Sequence, residues 1–467
     1  MKEECGVIGI ASREPVSIPI FYALRAIQHR GQESAGISVF DSTVSSIRTH
    51  KGMGLVERAI RSDDLHELAG NIGIGHVRYS TAGGSKIENA QPLTVSTQFG
   101  EISLAHNGDI VNADKLRAEK KKSGWAFITE TDSEVIIRIF ADELSQTKDP
   151  IRAMSRTARQ ISGSYSLALL VGGRLFAVRD LYGIKPLCIG KFPESKGFIV
   201  ASESVSLDLL GAELIRDVEP GEMVELKADG IAGTAISNAP CRAHCMFEYV
   251  YFARDDSVID GRLVHDVRET IGKMLAKEHP VKADVIVPIP DSGRTYAAGY
   301  SAGSGIPMDE ALIKNRYIWR TFIMPGQGQR DLNVRLKLNP IKQRIAGKRV
   351  VLVDDSVVRG TTMRRIVQLV RNAGAKEVHV RIGSPPVVSP CYLGIDMHSV
   401  DQFVANGRNL GEICKELGAD SLGYLGHCNL IEAIGLGETL CMGCLNGKYP
   451  VPPPETTGQR NVEQKFG

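Results

Sequence analysis

The hydrophobic pattern changes character about halfway along the 467-residue chain. Up to about residue 235, short apolar runs are punctuated by glycine, as in Val7-Ile8-Gly9-Ile10, and such runs predict buried strands. Two helical patterns interrupt them, over 19–28 and 132–144, and the second opens on the capping signal Thr131-Asp132-Ser133-Glu134. This region is therefore predicted to be a strand-rich α+β unit.

From about residue 260 to 390, predicted helices alternate with predicted strands. The helices are expected over 263–277, 295–302 and 361–373, and the strands over 285–288, 350–353 and 378–382. Such alternation predicts an α/β unit, a parallel sheet covered by helices, with ligands at the carboxyl ends of the strands. Residues 230–240 are small, polar and turn-forming, and they are the predicted linker between the two regions.

Composition limits the classes of partner. The length favours two domains. Fifty-six basic and 54 acidic residues leave a formal charge of +2, which gives no global field for nucleic acid or a membrane surface, so small molecules are the expected partners. The charged start and the short apolar runs predict a cytoplasmic protein. In that reducing compartment the nine cysteines are not expected to form disulfides.

The stretch from Val350 to Thr362 carries the strongest chemical signal. An apolar strand leads into Asp354 and Asp355, and a turn rich in hydroxyl groups and glycine precedes a helix. Such a turn and helix N-terminus can hold a phosphate, while the carboxylates can accept hydrogen bonds from ribose hydroxyls. The stretch resembles the signature of type I phosphoribosyltransferases, which bind phosphoribosyl pyrophosphate (PRPP) at this loop. The alternative is an ordinary strand, turn and helix.

The resemblance implies a full PRPP site. The turn around Ser292 suits pyrophosphate and its magnesium, although by itself it is equally well read as a plain β-turn. One Mg²⁺ per subunit is implied near Ser292, Asp354 and Asp355. The basic segment from Lys314 to Arg330 is expected to close over PRPP as a lid, although a solvated loop has the same pattern. The implied PRPP-binding residues are Ser292, Lys314, Asp354, Asp355, Ser356, Arg359, Gly360, Thr361 and Thr362.

Cys5 stands at the start of the first predicted strand. Removal of residues 1–4 would expose it, and its own α-amino group, with a pKa of roughly 7.7 to 8, could then act as a base for the thiol. Lys2 is large, so simple removal of Met1 would not be enough, and a four-residue leader must be cleaved. Taken alone, a structural cysteine is the better interpretation.

Three polar segments, 75–81, 105–109 and 131–134, change that judgement. Together with Cys5 to Gly9 they resemble, in order, the class II glutamine amidotransferases of the N-terminal-nucleophile hydrolase fold, over about the first 235 residues. The resemblance implies that Arg78 binds the α-carboxylate of glutamine and Asp132 its α-amino group. It also implies an oxyanion hole formed by Asn107 and the Gly108 N–H. Singly, Arg78 could form a surface ion pair and Asn107-Gly108 a hairpin turn.

The spacing of the C-x-x-C pair Cys441-Met442-Gly443-Cys444 does not decide its function, since zinc binding, redox activity and a chance occurrence all fit. The chain resembles the iron–sulfur-containing subgroup of the glutamine PRPP amidotransferases. This resemblance implies one [4Fe–4S] cluster per subunit, which clamps the C-terminal segment and takes no part in the chemistry. The implied ligands are Cys245, Cys391, Cys441 and Cys444, with Cys241 and Cys428 as alternatives.

The predicted architecture is a four-layer αββα glutaminase domain followed by a type I phosphoribosyltransferase domain with a parallel sheet. The expected boundaries are a leader over 1–4, an amidotransferase domain over 5–238, a phosphoribosyltransferase domain with a C-terminal helical segment over 239–449, and a poorly ordered tail over 450–467.

Joining the two domains predicts an enzyme that transfers ammonia from glutamine to C1 of PRPP, releasing pyrophosphate and forming 5-phosphoribosylamine in purine synthesis. The resemblance also implies a homotetramer or homodimer that purine nucleotides inhibit. One alternative is an amidotransferase for a hexose phosphate or an aspartyl intermediate, but such enzymes lack the 354–362 loop. The other is a non-catalytic PRPP or nucleotide sensor, which would have no use for a glutamine clamp.

Overall fold

A computed structural model of the protein describes residues 5–79, 84–98, 100–237, 241–315, 338–397 and 399–454. Its strands are β1 (Gly6–Ser12), β2 (Ser34–Asp41), β3 (Ser46–Met53), β4 (Ile72–Arg78), β5 (Leu93–Thr97), β6 (Gly100–Ile110), β7 (Gly163–Val171), β8 (Arg174–Arg179), β9 (Cys188–Lys191), β10 (Gly197–Ala201), β11 (Glu213–Asp217), β12 (Glu222–Lys227), β13 (Gly230–Ala235), β14 (His244–Cys245), β15 (Val258–Ile259), β16 (Arg262–Leu263), β17 (Val285–Pro288), β18 (Leu312–Lys314), β19 (Leu338–Pro340), β20 (Arg349–Asp354), β21 (Glu377–Ile382), β22 (Ser421–Tyr424) and β23 (Leu440–Cys441). Its α-helices are α1 (Ser17–Ala26), α2 (Val56–Ala59), α3 (Ser62–Glu67), α4 (Ala113–Lys122), α5 (Asp132–Thr147), α6 (Pro150–Ala158), α7 (Val205–Leu209), α8 (Val264–Glu278), α9 (Gly293–Ser304), α10 (Lys342–Ile345), α11 (Thr361–Asn372), α12 (Leu410–Leu417), α13 (His427–Ile434) and α14 (Gly443–Asn446).

The first half of the chain folds into two antiparallel sheets that face each other. One has the strand order β11-β9-β10-β1-β4-β2-β3 and the other the order β13-β12-β8-β7-β6-β5. Apolar side chains of both sheets meet in a shared core, among them Val7, Ile74, Ala168 and Leu175. Helices α1 and α7 cover the outer face of the first sheet, and α5 and α6 cover that of the second. This is the predicted αββα arrangement.

The second half is built on a parallel sheet with the order β17-β20-β21-β22. Helices α8 and α9 pack on one face, against side chains such as Ile286 and Val351. Helices α11 and α12 pack on the opposite face, against side chains such as Val287 and Leu352. The sheet therefore has the predicted helix-covered form, and its carboxyl edge presents Asp354 at the end of β20.

The capping signal before α5 marks the start of the helix but does not form a capping box. Thr131 makes no side-chain bond to the helix N-terminus, because its hydroxyl is 2.8 Å from that of Thr129. The Glu134 carboxylate instead accepts the N–H groups of Ile128 and Thr129. Thr131 and Glu134 thus stabilise the loop before α5 instead of capping the helix.

The prediction that residues 230–240 form a linker is wrong for residues 230–235. Gly230–Ala235 is strand β13, which pairs with β12 along its whole length at the edge of the second sheet. Its small residues are largely exposed, so the strand lacks the apolar pattern that would have revealed it. The predicted boundary at 238–239 lies outside the described residues, as do residues 1–4 and 455–467, whereas Val451 is buried in the core of the second half.

Across the ranges that the structure describes, no helix is both long and apolar enough to cross a membrane.

Helices α8 and α9 approach each other so closely that glycine is required where they meet. A Cβ on Gly299 would collide with the carbonyl oxygen of Glu269. Alanine ordinarily favours a helix over glycine by about 1 kcal/mol, yet we expect Gly299→Ala to destabilise this protein by about 1–3 kcal/mol through overpacking. The measurement is the midpoint of thermal unfolding.

Gly303→Ala, on the same helix, is the matched control. Its Cβ would lie 3.1 Å from the nearest atoms, the Cβ of Ala276 and the carbonyl oxygen of Lys273, so only a small adjustment is needed. Its unfolding midpoint should fall clearly less than that of Gly299→Ala. Equal midpoints for the two variants would contradict the crowding argument.

Candidate active sites

The first candidate site surrounds Cys5, immediately before β1. Its thiol donates to the carbonyl oxygen of Tyr79 at 3.3 Å. Burial raises the pKa of the Cys5 thiol to about 11; the hydrogen bond to Tyr79 and the charge of Arg78 oppose this rise, and the charge of Asp132 adds to it. Arg78 and Asp132 thus both lie close enough to act on the thiol. A thiol with this pKa needs a proton acceptor before it can act as a nucleophile at neutral pH.

The two residues predicted to clamp glutamine, Arg78 and Asp132, are each held by hydrogen bonds to the backbone. Arg78 ends β4 with only 3% of its surface exposed, so it does not form a surface ion pair. Its guanidinium donates to the Gly84 carbonyl oxygen at 3.4 Å. The Asp132 carboxylate accepts the N–H of Ser133 at 2.8 Å and that of Ile110 at 3.2 Å. The charges of Arg78, Asp132 and Glu33 all act on the thiol, and the Glu33 carboxylate lies 3.8 Å from the Arg78 guanidinium. Cationic and anionic groups are thus both available for a zwitterionic amino acid.

Asn107 and Gly108 lie within β6, paired with Ser166 and Tyr165 of β7, and so do not form the alternative hairpin turn. The side-chain nitrogen of Asn107 is buried and has no hydrogen-bond partner in the described ranges. Gly108 has a φ of 145°, and a Cβ there would collide with the carbonyl oxygen of Ser164. A buried donor without an acceptor is costly, and an oxyanion bound beside Asn107 would remove that cost.

Sequence reasoning missed Arg30, whose side chain is fully buried. Its Nε donates to the Cys5 carbonyl oxygen at 3.1 Å. Its Nη1 donates to Glu203 at 2.6 Å and its Nη2 to Glu248 at 2.7 Å. Although burial opposes it, the charges of His29 and Arg30 hold the pKa of Glu203 well below its usual range. Glu248 belongs to the second half, so Arg30 connects the backbone of the nucleophile to both halves.

The second candidate site is a cavity of about 440 Å³ at the carboxyl ends of β17 and β20. The turn after β20 and the N-terminus of α11 form one wall, and Gly360, with a φ of 70°, turns the chain into the helix. Eight of the nine predicted PRPP-binding residues line the cavity: Ser292, Asp354, Asp355, Ser356, Arg359, Gly360, Thr361 and Thr362. The structure therefore brings together the predicted phosphate loop and the turn around Ser292.

Two adjacent carboxyl groups, Asp354 and Asp355, lie at one side of this cavity. Burial raises the pKa of Asp354 well above its usual value, and the neighbouring charge of Asp355 raises it further. The Ser292 hydroxyl donates to Asp354 at 3.5 Å. Two adjacent carboxylates in a buried setting favour a cation beside them. Magnesium takes most of its oxygen ligands from phosphates and water, so this small set of protein oxygens fits it.

Lys314 is the one predicted PRPP-binding residue that does not line the cavity. It lies in a neighbouring cavity of about 730 Å³, because its ammonium group donates to the Asp291 carboxylate at 2.6 Å. The two cavities share Tyr251, Pro290 and Ser292, and the larger one extends to Arg30. Residues 316–330 of the predicted lid lie outside the described residues.

The four cysteines predicted to bind a cluster come together from three segments. The parallel pair β14 and β23 places Cys245 beside Cys441, and the N–H groups of residues 388–389 donate to the Cys444 carbonyl oxygen at 3.0 Å. Burial raises the pKa of Cys441 to about 12, and the charge of Cys391 adds to the rise. Burial, followed by the charges of the other three thiols, raises that of Cys444. Within the described segments, no three His, Cys, Asp or Glu residues are grouped to hold a metal ion.

Two family models match the chain, one in each half. A glutamine amidotransferase domain matches residues 76–208, and a phosphoribosyl transferase domain matches residues 260–382. The fold and the two sites thus define a glutamine amidotransferase joined to a phosphoribosyltransferase.

Curated relatives and solved structures match nearly the whole chain. It is 51% identical over 460 residues to an amidophosphoribosyltransferase of Methanothermobacter thermautotrophicus, covering 97% of this chain and 96% of the relative. It is also 51% identical over 463 residues to that of Methanocaldococcus jannaschii, covering 96% and 97%. The glutamine PRPP amidotransferase from B. subtilis, solved in complex with ADP and GMP, matches with a TM-score of 0.90 and 40% identity over 97% of this chain and 98% of that one. The chain belongs to the amidophosphoribosyltransferase family.

Membership of this family decides among the predicted functions. The protein is a glutamine-dependent phosphoribosyltransferase, a glycosyltransferase by reaction type, with glutamine and PRPP as substrates. It releases ammonia from glutamine and transfers it to C1 of PRPP, forming pyrophosphate and 5-phosphoribosylamine in the first committed step of de novo purine biosynthesis. The sensor and the amidotransferase for another acceptor are excluded.

Removing the Arg30 charge should cost far more stability than removing an exposed one. Arg30→Met leaves the buried Glu203 and Glu248 carboxylates without their cation, which typically costs about 3–5 kcal/mol. Arg174 is the matched control, since it binds Glu225 through two hydrogen bonds of 2.7 and 2.9 Å but is 45% exposed. Exposed pairs contribute about 1 kcal/mol or less.

We therefore expect the thermal unfolding midpoint of Arg30→Met to fall much further than that of Arg174→Met. Comparable midpoints for the two variants would show that burial of the Arg30 pair carries no special weight.

Proposed function

We propose that Cys5 is the nucleophile of the glutamine reaction and that its α-amino group, freed by removal of residues 1–4, is the base. The amino group, with a pKa of roughly 7.7 to 8, takes the thiol proton, and the sulfur attacks the amide carbon of glutamine. The protonated amino group gives this proton to the amide nitrogen, the tetrahedral intermediate collapses to a thioester as ammonia leaves, and water then releases glutamate. The hydrogen bond of 3.3 Å from the thiol to the carbonyl oxygen of Tyr79, the residue after Arg78, supports this role because it places the sulfur beside the proposed glutamine clamp.

In this proposal Arg78 binds the α-carboxylate of glutamine and Asp132 its α-amino group. The Asn107 side chain and the Gly108 N–H stabilise the oxyanion of the tetrahedral intermediate. The observations that carry the assignment are the charges of Arg78 and Asp132 that act on the Cys5 thiol and the Asn107 side-chain nitrogen, which has no hydrogen-bond partner among the described residues. Binding at both ends of the substrate would position the amide carbon against the sulfur.

We propose that the 356–362 turn and the N-terminus of α11 bind the 5-phosphate of PRPP, while Asp354 and Asp355 accept hydrogen bonds from the ribose hydroxyls. The turn at Ser292 faces the pyrophosphate, and Lys314 joins it when its ion pair with Asp291 opens. One Mg²⁺ per subunit beside Ser292, Asp354 and Asp355 would neutralise charge on the departing pyrophosphate. Ammonia needs no protein nucleophile at this site, so positioning of C1 and stabilisation of the leaving group account for the transfer.

We further propose that Cys245, Cys391, Cys441 and Cys444 hold one [4Fe–4S] cluster per subunit, which assigns the chain to the iron–sulfur subgroup. Burial and the neighbouring thiols raise the pKa values of Cys441 and Cys444, so iron binding there would release their protons to solvent and leave thiolates as ligands. A cluster of several iron atoms needs more widely spaced ligands than a single ion, so it fits cysteines that are near one another without converging on one point. The alternatives Cys241 and Cys428 are both exposed.

Regulation and assembly complete the proposal. Purine nucleotides are the proposed feedback inhibitors, since the B. subtilis relative was solved with ADP and GMP and a nucleotide offers the same ribose phosphate as PRPP to the 354–362 loop. A homotetramer or homodimer is proposed from the family resemblance, and a cytoplasmic location from the charged start and the short apolar runs.

Comparing glutamine with ammonium as the nitrogen donor tests the two sites separately, because only glutamine requires the Cys5 site. Pyrophosphate release from PRPP is measured with glutamine or with ammonium, for anaerobically purified wild type and Cys5→Ser. We expect Cys5→Ser to lose the glutamine reaction and to keep the ammonium reaction at the wild-type rate, because ammonium bypasses the thiol. Cys188→Ser, which alters a buried thiol that the proposal gives no role, is the control and should keep both activities. A Cys5→Ser protein that still uses glutamine would refute the assignment of the nucleophile.

The cluster is tested by the iron and sulfide content of the protein. Iron and acid-labile sulfide are measured per chain in anaerobically purified wild type, Cys444→Ser and Cys428→Ser. Wild type and Cys428→Ser should contain them in the ratio of a [4Fe–4S] cluster, whereas Cys444→Ser should lose both, because one of the four thiolates is gone. Bound zinc without sulfide, or no metal in the wild type, would refute the cluster. Loss at Cys428 instead of Cys444 would reassign the ligand.

A further inference from the structure

A loop of the phosphoribosyltransferase half, residues 391–397, reaches the glutaminase strand that carries Asn107 and Gly108. The loop is closed by a hydrogen bond of 2.9 Å from the Cys391 N–H to the Met397 carbonyl oxygen. Its side chains at Leu393, Ile395 and Met397 are buried in the core of the second half. The loop is therefore fixed to that core and presents its backbone to the other half as a rigid surface.

The middle of this loop contacts the glutaminase half at two points. The Leu393 carbonyl oxygen accepts a hydrogen bond of 2.9 Å from the Ser164 hydroxyl, which itself accepts the N–H of Asp109 at 3.2 Å. The next residue, Gly394, lies against Gly108, since a Cβ added to Gly394 would be 3.3 Å from the carbonyl carbon of Gly108. The backbone of Gly108 is thus packed against both Ser164 and Gly394.

Lys185 lies at the same junction and is fully buried. The Cβ added to Gly394 would be 3.1 Å from the Lys185 ammonium nitrogen, so this charge lies beside the backbone that connects Gly108 to Asp109. Burial lowers the pKa of His106, and the charge of Lys185 also lowers it, so this charge acts on the residue next to Asn107 in β6. A buried positive charge near a developing oxyanion stabilises it more strongly than water would.

The far end of the loop lines the other site. Asp396 and Met397 belong to the wall of the PRPP cavity. One short loop therefore contacts the strand proposed to form the oxyanion hole and the cavity proposed to bind PRPP.

We propose that Gly394 is a positioning residue for the oxyanion hole: it allows the 391–397 loop to hold the Gly108 backbone and the Lys185 ammonium group in place for the glutamine reaction. The inference rests on the proposed assignment of Asn107 and Gly108. If it holds, glutamine hydrolysis depends on Gly394, a residue of the phosphoribosyltransferase half. Gly394 lies outside the motifs found in the sequence.

Gly394→Ala would press a methyl group against Lys185 and Gly108. Loss of a whole oxyanion donor costs about 10²- to 10³-fold in kcat, so a partial displacement should lower kcat for glutamine hydrolysis on the order of tenfold. The KM for glutamine should stay at the wild-type value, because Arg78 and Asp132 are untouched. The ammonium reaction should also be unchanged, because it requires no oxyanion hole.

The control separates crowding from backbone strain. Gly394 has a φ of 102°, which alanine adopts at a cost, and Gly100 has a φ of 100° with no atom within 4 Å of an added Cβ. Gly100→Ala thus reproduces the strain without the contact and should keep the wild-type kcat. Ser164→Ala is a second test, since it removes the hydrogen bond to Leu393 without adding bulk.

The full-length variants and Asn107→Ala are assayed for glutamine kcat and KM with PRPP present, for ammonium-dependent pyrophosphate release, and for inhibition by glutamate γ-semialdehyde. The Cys5 thiol adds across the aldehyde, forming a C–S bond, and the former carbonyl oxygen becomes the hydroxyl or oxyanion that the hole binds. We expect Gly394→Ala and, to a smaller extent, Ser164→Ala to lose kcat and to bind the aldehyde correspondingly more weakly.

The outcomes test the positioning role of Gly394 separately from the proposed oxyanion hole of Asn107 and Gly108. A wild-type kcat in Gly394→Ala, or equal losses of its glutamine and ammonium reactions, would overturn the positioning role. A loss in Gly100→Ala as large as that in Gly394→Ala would also overturn it. A wild-type glutamine kcat in Asn107→Ala would instead overturn the proposed oxyanion hole, whatever Gly394→Ala shows.

Discussion

A buried guanidinium, that of Arg30, connects the nucleophile to both halves of the chain. Shielded from water, its charge must be balanced by carboxylates, and it finds one in the first half, Glu203, and one in the second, Glu248. The same group donates to the Cys5 carbonyl oxygen. The position of the Cys5 backbone therefore depends on the second half being in place, because a missing carboxylate would leave a buried charge unbalanced.

A second buried guanidinium is also balanced by a carboxylate of the other half. Arg179 of the first half donates to Asp260 of the second at 2.8 Å and also to the Lys185 carbonyl oxygen. The core of the second half includes two side chains of the first, Val111 and Ile184. Polar bonds of fixed geometry and shared apolar packing thus set the orientation of the two halves. The larger cavity, which extends from Arg30 to Ser292, is enclosed by residues whose places these contacts determine.

Motifs that are contiguous in sequence were predictable, and contacts between distant residues were not. The residues from Asp354 to Thr362 line one cavity because they form a single strand, turn and helix start. Arg30 could not be found, because its partners lie 173 and 218 positions away. Lys314 was predicted to line that cavity, but Asp291 holds it in the next one. Strand β13 escaped detection because an exposed edge needs no apolar side chains.

The sequence by itself determined the two fold classes, the strand-end placement of the acidic pair and the choice of family, because periodicity and local motifs encode these features within a few residues. Tertiary structure alone decided which groups share a site. It brought the charges of Arg78 and Asp132 to bear on Cys5, left the buried Asn107 nitrogen without a hydrogen-bond partner among the described residues, and brought the 391–397 loop against Gly108. Burial, charge balance and close backbone approach depend on the packing of remote segments, which no local pattern records.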